Sequence, residues 1–389
     1  MVKQKSNGLK FHSKVSISVM YVNRSSVTYR TPATHQPPPA KELADNVDYP
    51  NLNVADMNAR LENLTPRLHD CFDSISMNEL QHFALATNHR EGAQWWGMLF
   101  GYNQTDHMAV DNADFKLQCE CTVNILRYAD NNVLLIALGD TKLQAWSTYS
   151  TVRNPDEPYC LFLIGEDAAH KAPINQLCVF KSHPQQAVTT CLDNTLNVWD
   201  VSGADLCSTY HARAAHTNKL TGLATSVAAA TQMLTCDRGG CARLWDVRAT
   251  SPSSTCLYDD ETHLLSFSCA AWAAPSELQG DNYVYLGDYD GNVHTLDIRA
   301  PRKLQQTVSY FKEGHVSQLL VNGTHLAAMS NLPTAVKIAK VGVQHDFIYT
   351  NENTHTRLTD AVWRDDSTLL TIGHGRKLAT HKIKDTRCI

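Results

Sequence analysis

The first 41 residues contain no aspartate or glutamate, and that absence sets them apart from the rest of the chain. Lys3, Lys5, Lys10, Lys14, Arg24, Arg30 and Lys41 give this stretch a charge of +7. Residues 42–389 keep 27 basic residues against 39 acidic ones, a charge of −12. So acidic a body argues against broad nucleic-acid binding and favours basic partners. The basic stretch lacks the dense Lys/Arg cluster of an RNA-binding arm or nuclear signal, so a solvated, flexible tail is expected. The run VSISVMYV (15–22) behind lysines mimics a signal peptide, but it is short, broken by two serines, and followed by no A-x-A-like site. An acid-free, serine-containing arm also mimics a mitochondrial transit peptide, yet regular Arg-rich amphipathicity is missing. Met20 is a second conceivable start. No run approaches the ~18 apolar residues of a membrane span.

Other absences narrow the chemistry. None of the 12 cysteines forms a C-x-x-C pair, and the closest two, Cys119 and Cys121, are predicted to share one face of a strand. Zinc sites need clustered spacings that are missing here. Most other cysteines sit inside apolar runs, as reduced buried thiols do, which points to a reducing compartment, the cytoplasm with the nucleus also open. No G-x-G-x-x-G loop follows a strand, and no Ser-His-Asp or paired-carboxylate set stands out. No catalytic residue, cofactor or metal is therefore expected.

What the sequence does contain is a repeat. A turn with Asp, Asn or Gly is followed by an apolar residue and then by an aromatic or apolar anchor. The clearest copies are DNTLNVWDV (193–201) and GGCARLWDVR (239–248). DGNVHTLDIR (290–299) puts Leu296 in the tryptophan position, and GDTKLQAW (139–146) is a fourth copy. Weaker copies are PTAVKIA (333–339), GRKLATH (375–381) and WWGMLF (95–100). The anchors Phe100, Trp146, Trp199, Trp245, Leu296, Ala339 and His381 are spaced by 46, 53, 46, 51, 43 and 42 residues. WD repeats recur every ~40–45 residues with four strands per blade. The fold class is thus all-β, a seven-bladed WD-repeat propeller over residues 51–384. A flexible basic, proline-containing extension (1–50) precedes it and a short tail (385–389) follows.

Strand-like runs VLLIAL (133–138), YVYLGD (283–288) and LLTIG (369–373) precede the turns. His170, His216, His315 and His355 recur upstream of the anchors. In WD repeats such a histidine joins a Ser or Thr, a turn Asp and the Trp in a buried hydrogen-bonded set. His170, Asp193 and Trp199 fit this pattern; His216 and Trp245 fit in part, because Gly239 stands where Asp193 stands. Recurrence once per blade suits a structural role better than a metal or catalytic one. Trp272 and Trp363 each end a short strand and are expected in the core. The last blade lacks one strand, for which 51–64 is the candidate, with a helix as its competing reading.

Several blades resemble one family, the methylosome WD-repeat subunits that partner the type II (symmetric) protein arginine methyltransferase. The resemblance runs from about residue 50 to 384. It rests on AVTTCLDNTLNVWDV (187–201), STYHARAAHTNKLTGLA (208–224), LTCDRGGCARLWDVR (234–248) and YLGDYDGNVHTLDIR (285–299) in order. DAVWRDDSTLLTIGHGRKLATHKI (360–383) is similar to the family's unusual last blade, which ends in His and basic residues rather than Trp-Asp. The resemblance implies a non-catalytic adaptor in a hetero-oligomer. It would activate the methyltransferase and present arginine-rich substrates such as histone and Sm protein tails. In that family a first-blade tryptophan enters the enzyme's N-terminal barrel; here Trp95 of QWWGMLF (94–100) aligns with it, and Trp96 is an additional aromatic. Neighbours in a strand face opposite ways, so one is expected inward and one, Trp95, outward. An insect branch of the family implies a role in germ-plasm assembly and pole cell formation with Tudor-class proteins, and hence germline granules. The linker 32–50, the segment 65–82 and the loop 147–160 depart from the family pattern, which leaves substrate choice open. An alternative comes from WDVR (245–248) and LDIR (296–299). Arg248 and Arg299 there match the Trp-Asp-x-Arg pattern of cullin-RING ubiquitin ligase receptors.

Overall fold

In the computed structural model residues 19–22 and 71–383 are described, apart from short internal stretches, the longest being 104–112 and 149–158. Seven antiparallel sheets stand around a central channel. They span residues 74–119, 123–167, 174–212, 220–259, 267–309, 318–352 and 358–382, and are numbered blades one to seven in that order. Within each blade the strands run in sequence from the channel outwards. No helix occurs among the described residues.

The sequence pattern explains which strand goes where. Middle strands are covered on both faces by neighbouring blades, so they read as almost unbroken apolar or small residues. VLLIAL (Val133–Leu138) is buried in five of its six positions, and Thr368–Gly373 in all six. Outermost strands have less to cover them and alternate, as in Leu304–Ser309, LQQTVS, which is half-buried and exposed in turn. The seven anchors all lie on third strands and pair across to equivalent second-strand residues: Phe100 with Leu85, Trp146 with Leu134, Trp199 with Ala187, Trp245 with Met233, Leu296 with Val284, Ala339 with Leu326 and His381 with Leu369. One residue per blade occupies one position of a repeated frame.

The turn before each anchor repeats too. Thr141, Asn194, Gly240 and Gly291 each stand five residues before the anchor of blades two to five, with φ of 86°, 62°, 81° and 80°. Glycine takes this left-handed conformation without a Cβ clash, asparagine tolerates it, and a β-branched threonine does so at a cost.

The innermost strands form a closed ring, in which Ser74–Met77 of blade one packs between Val123–Tyr128 of blade two and Leu358–Asp365 of blade seven. Blade seven has three described strands. At its upper end the chain entering blade one bridges back to it, Cys71 to His374, with Phe72 N–H donating to Gly373 O at 3.2 Å. The closing-strand candidate 51–64 lies outside the described residues. Val19–Val22 form an antiparallel fifth strand on the outer edge of blade two, from Val19 opposite Phe162 to Val22 opposite Tyr159. The rest of 1–50, and the tail 385–389, lie outside the described residues.

Candidate partner-docking site

Because strands alternate in direction, each blade has two ends. The upper face carries the turns between second and third strands and the connections between blades; the lower face carries the other turns. Blade one breaks the upper face. Its second and third strands, Phe83–Glu91 and Gln94–Tyr102, stay paired as far as Glu91 opposite Gln94. The outer strand Phe115–Cys119 stops supporting them at Gly97. Beyond Gly97 the pair continues as a two-stranded hairpin for roughly 10 Å at the usual rise per residue.

Directly opposed residues share a face, so the hairpin sorts its side chains. His89 and Trp96 lie on one side, their rings 4.3 Å apart between centroids, and Trp96 joins the core cluster that holds Met98 with Leu370 and Ile372 of blade seven. Arg90 and Trp95 lie on the other, with the guanidinium 5.5 Å from the indole centroid. Trp95 is 49% exposed. The six other tryptophans are buried or half-buried. Of the two adjacent tryptophans, then, the structure places Trp95 outward and Trp96 half inward.

The remaining sequence-derived candidates are architectural in their surroundings. Trp199 Nε1 donates to Thr189 Oγ1 at 2.8 Å, and His170 Nε2 meets the same oxygen at 2.7 Å. His170 Nδ1 meets Thr195 Oγ1, which in turn donates to Asp193 at 2.6 Å. Asp193 thus reaches His170 through a threonine. Burial drives His170 down to about 4, only partly offset by Asp193. Burial alone would raise Asp193, but the hydroxyl and N–H groups of Thr195 and the N–H of Lys171 hold it at about 2. In blade four Trp245 Nε1 donates to Thr235 Oγ1, which lies 2.7 Å from His216 Nε2, and His216 Nδ1 faces Asp237 at 2.8 Å. Glycine at 239 therefore does not leave the set incomplete: Asp237, two residues earlier, supplies the carboxylate. Trp146 donates to Gln144, Leu296 is fully buried, and Trp272 is 4% exposed.

Three expectations need correction. Trp363 is only half-buried; it sits on the innermost strand, lines the channel, and stacks on His325 at 6.2 Å. His315 does not join a buried set. Ala328 and Ala339 occupy the threonine and tryptophan positions of its blade, so nothing is there to bond, and His315 stacks instead on Tyr289 at 5.5 Å. Cys119 ends a strand whereas Cys121 lies in the turn after it, so they do not share a strand face.

Two groups could be mistaken for metal sites, His170 with Cys191 and Asp193, and His216 with Asp237 and Cys241. In each, both imidazole nitrogens are engaged in the hydrogen bonds above, and burial pushes the thiols up to about 11 for Cys191 and about 12 for Cys241. Arg248 and Arg299 lie on the lower face, opposite the hairpin. Each folds back on the aspartate two residues earlier, Arg248 on Asp246 and Arg299 on Asp297, the latter at 2.7 Å.

Comparison with known proteins decides the family. The chain is 69% identical over 367 residues to Protein valois of Drosophila melanogaster, covering 94% of this chain and all of that one. The chain belongs to the Valois family. It is also 22% identical over 220 residues to methylosome protein WDR77 of Xenopus laevis, a match covering 55% of this chain and 61% of that protein. No protein-family model matches. Among solved structures, a chain of the mitotic checkpoint complex superposes with a TM-score of 0.63 at 14% identity, covering 89% of this chain and all of that one. Chaetomium thermophilum Sqt1, bound to the N-terminus of ribosomal protein L10, superposes with 0.61 at 11%, covering 81% and 97%. These two establish the propeller fold alone. Kinship to Valois, with the weaker likeness to a methylosome WD-repeat protein, supports reading the chain as a WD-repeat adaptor of the methylosome type.

Proposed function

We propose that this protein is a non-catalytic subunit that docks a type II protein arginine methyltransferase through Trp95, activates it, and holds arginine-rich substrates near it. The observation that carries this reading is the exposure of Trp95 on a hairpin that projects from the upper face while the other tryptophans are withdrawn. An exposed, guanidinium-stacked indole on a rigid base is the kind of anchor that dominates protein interfaces. Its position in blade one is the one the family resemblance assigns to the enzyme contact. Glu120, Asp140 and Glu166 are exposed on the upper ends of blades one and two, and the acidic body would concentrate basic histone and Sm tails beside the enzyme. That attraction decays over the ~8–10 Å Debye length at physiological salt. Assembly of germ plasm with Tudor-class readers of methylated arginine, in cytoplasmic granules, follows from the same reading.

Affinity purification of the tagged protein tests it, with Trp95→Ala alongside. Wild type should bring down the methyltransferase and symmetric methylation of a histone or Sm tail. Trp95→Ala should lose at least ~2 kcal/mol of binding, about thirtyfold, with its fold intact. Wild type without methyltransferase would sink the proposal, and capture of a cullin-RING adaptor that depends on Arg248 and Arg299 would put the lower-face reading in its place.

A further inference from the structure

We infer that Asn88 is the positioning residue that aims Trp95, by clamping the base of the hairpin to blade two. The proposal rests on the reading of Trp95 as a partner anchor, and it adds the device that holds the anchor still.

Asn88 stands opposite Gly97, on the last rung where the hairpin still has a third strand beside it. Its side chain leaves blade one altogether. Asn88 Nδ2–H donates to Val123 O at 2.9 Å, and Val123 N–H donates to Asn88 Oδ1 at 2.7 Å. One carboxamide thus exchanges two hydrogen bonds with one backbone residue of blade two, as a residue of a neighbouring antiparallel strand would. The Asn88 backbone N–H donates to Asp73 Oδ2 at 2.9 Å. Asp73 lies just before the innermost strand of blade one, two residues after the bridge from Cys71 to blade seven. A single residue therefore ties the hairpin to its own blade and to blade two.

Gly97 completes the clamp from the opposite strand. A Cβ there would lie 2.8 Å from Val123 Cγ2 and 3.0 Å from Cys121 O. The third strand approaches blade two this closely only because Gly97 carries no side chain.

Beyond the clamp, Trp95 is two residues out on a ribbon of two strands. Two strands alone are marginal in water; His89 and Trp96 seat one face of the ribbon on the core shared with blade seven, and Arg90 with Trp95 lies on the other face, the one that Asn88 holds. Asn88 and Trp95 project from the same face of the ribbon, since the Asn88–Gly97 and Arg90–Trp95 pairs are two rungs apart. A swing at Asn88 would therefore move the indole directly, and the partner would have to freeze that motion on binding.

The test combines Asn88→Ala and Asn88→Asp in the full chain with two readouts. The first is amide hydrogen exchange across residues 89–96, with the strands of blade three as internal control. The second is affinity for the purified type II arginine methyltransferase. Asn88→Ala should speed exchange in the hairpin at least tenfold, leave blade three unchanged, and weaken binding about tenfold. Asn88→Asp keeps the acceptor for Val123 N–H and loses the donor, so it should fall between wild type and Ala in both readouts. Unchanged hairpin exchange in both variants would overturn the clamp whatever binding does. Loosened exchange with undiminished affinity would overturn its aiming role. Should Trp95→Ala bind like wild type, the docking reading fails instead, and hairpin exchange still decides whether Asn88 is the clamp.

Discussion

At the scale of single residues, each buried polar set centres on one threonine hydroxyl shared between two rings. In blade four the Asp237 carboxylate can only accept, so His216 Nδ1 carries the proton on that side, while the Thr235 hydroxyl accepts from Trp245 and meets His216 Nε2. Burial works to raise Asp237, but bonds from His216 and from the N–H groups of Cys241 and Gly239 hold it below the ordinary carboxylate range. Blade seven runs the same relay with no tryptophan. His381 takes that position, and its Nε2 lies 2.8 Å from Thr371 Oγ1, which is 3.0 Å from His355 Nε2. A histidine can replace the indole because it too offers a ring N–H, provided its other nitrogen is satisfied. Tyr349 of blade six meets His381 Nδ1 at 2.9 Å and satisfies it. These sets make the fold sensitive to acid. His170 titrates near 4 when folded against 6.5 ordinarily, because burial disfavours its charged form. Between these values the unfolded chain binds a proton that the folded chain refuses, so stability falls as pH drops through this window and is level in this respect above it. Burial lowers His345 as well, in the same direction. Urea midpoints should therefore be lower at pH 5 than at pH 7.5. His170→Gln should be destabilised at both and show a smaller difference between them; an undiminished difference would mean that His170 is not the residue responsible.

At the scale of elements, the repeated left-handed turn separates what could be read in the sequence from what could not. The anchors were legible because turn chemistry and apolar anchor come together within ten residues, a short-range pattern. The threonine ten residues before Trp199 or Trp245 is equally local and could have been found by asking which hydroxyl each indole meets. The projecting hairpin was not legible. Its strands carry the same residue types as a buried pair, and its length depends on where the outer strand stops, which is set by contacts distant in sequence. Asn88 and Val123 are likewise joined only once blades one and two are side by side. Trp363 misled because an apolar run ending in tryptophan looks the same on a fully covered strand and on an innermost one: its indole packs against blade six, donating to Leu320 O at 3.4 Å, while its strand borders the channel and leaves it half-buried. The turn itself yields a prediction. Thr141 holds φ at 86° where the corresponding residues are Asn194, Gly240 and Gly291. A β-branched side chain there stores strain of about 1–2 kcal/mol, so Thr141→Asn should raise stability by about 0.5–1 kcal/mol. Thermal denaturation measures this directly, and a lower midpoint would show that the threonine makes a compensating contact.

At the scale of the whole molecule, the question is what closes a ring whose first and last blades are far apart in the chain. Elsewhere neighbouring inner strands are tied by neutral side chains reaching to backbone carbonyls, such as Asn175 to Leu220 O, Thr221 to Phe267 O and Ser268 to Val316 O. At the closing seam the device is ionic. Asp360 of blade seven accepts from Ser74 Oγ at 2.8 Å and Ile75 N–H at 3.1 Å in blade one. It also accepts from Arg127 Nη1 at 2.9 Å in blade two and from Gln318 Nε2 at 2.8 Å in blade six. Four consecutive blades around the closure share one carboxylate, on the wall of a channel of about 910 Å³. Asp360 is 5% exposed while the Arg127 side chain keeps 28% of its exposure, so water in the channel tempers the cost of parting them. Asp360→Ala would leave the guanidinium without its carboxylate and remove the acceptor of four neutral donors, Ser74, Ile75, Gln318 and Ala361, costing about 2–4 kcal/mol, towards the lower part of what breaking a buried pair costs. Asp360→Asn keeps an acceptor of the same shape and should cost less. Because Arg127 also bonds Ile75 O and Leu126 O, Arg127→Met combined with Asp360→Ala should lose less than the two single losses added. Equilibrium unfolding of the four proteins measures the coupling. A clear shortfall from additivity would identify the charge pair as the closure. Strict additivity would assign closure to the neutral bonds of Ser74, Ile75 and Gln318, and leave Arg127 a bystander.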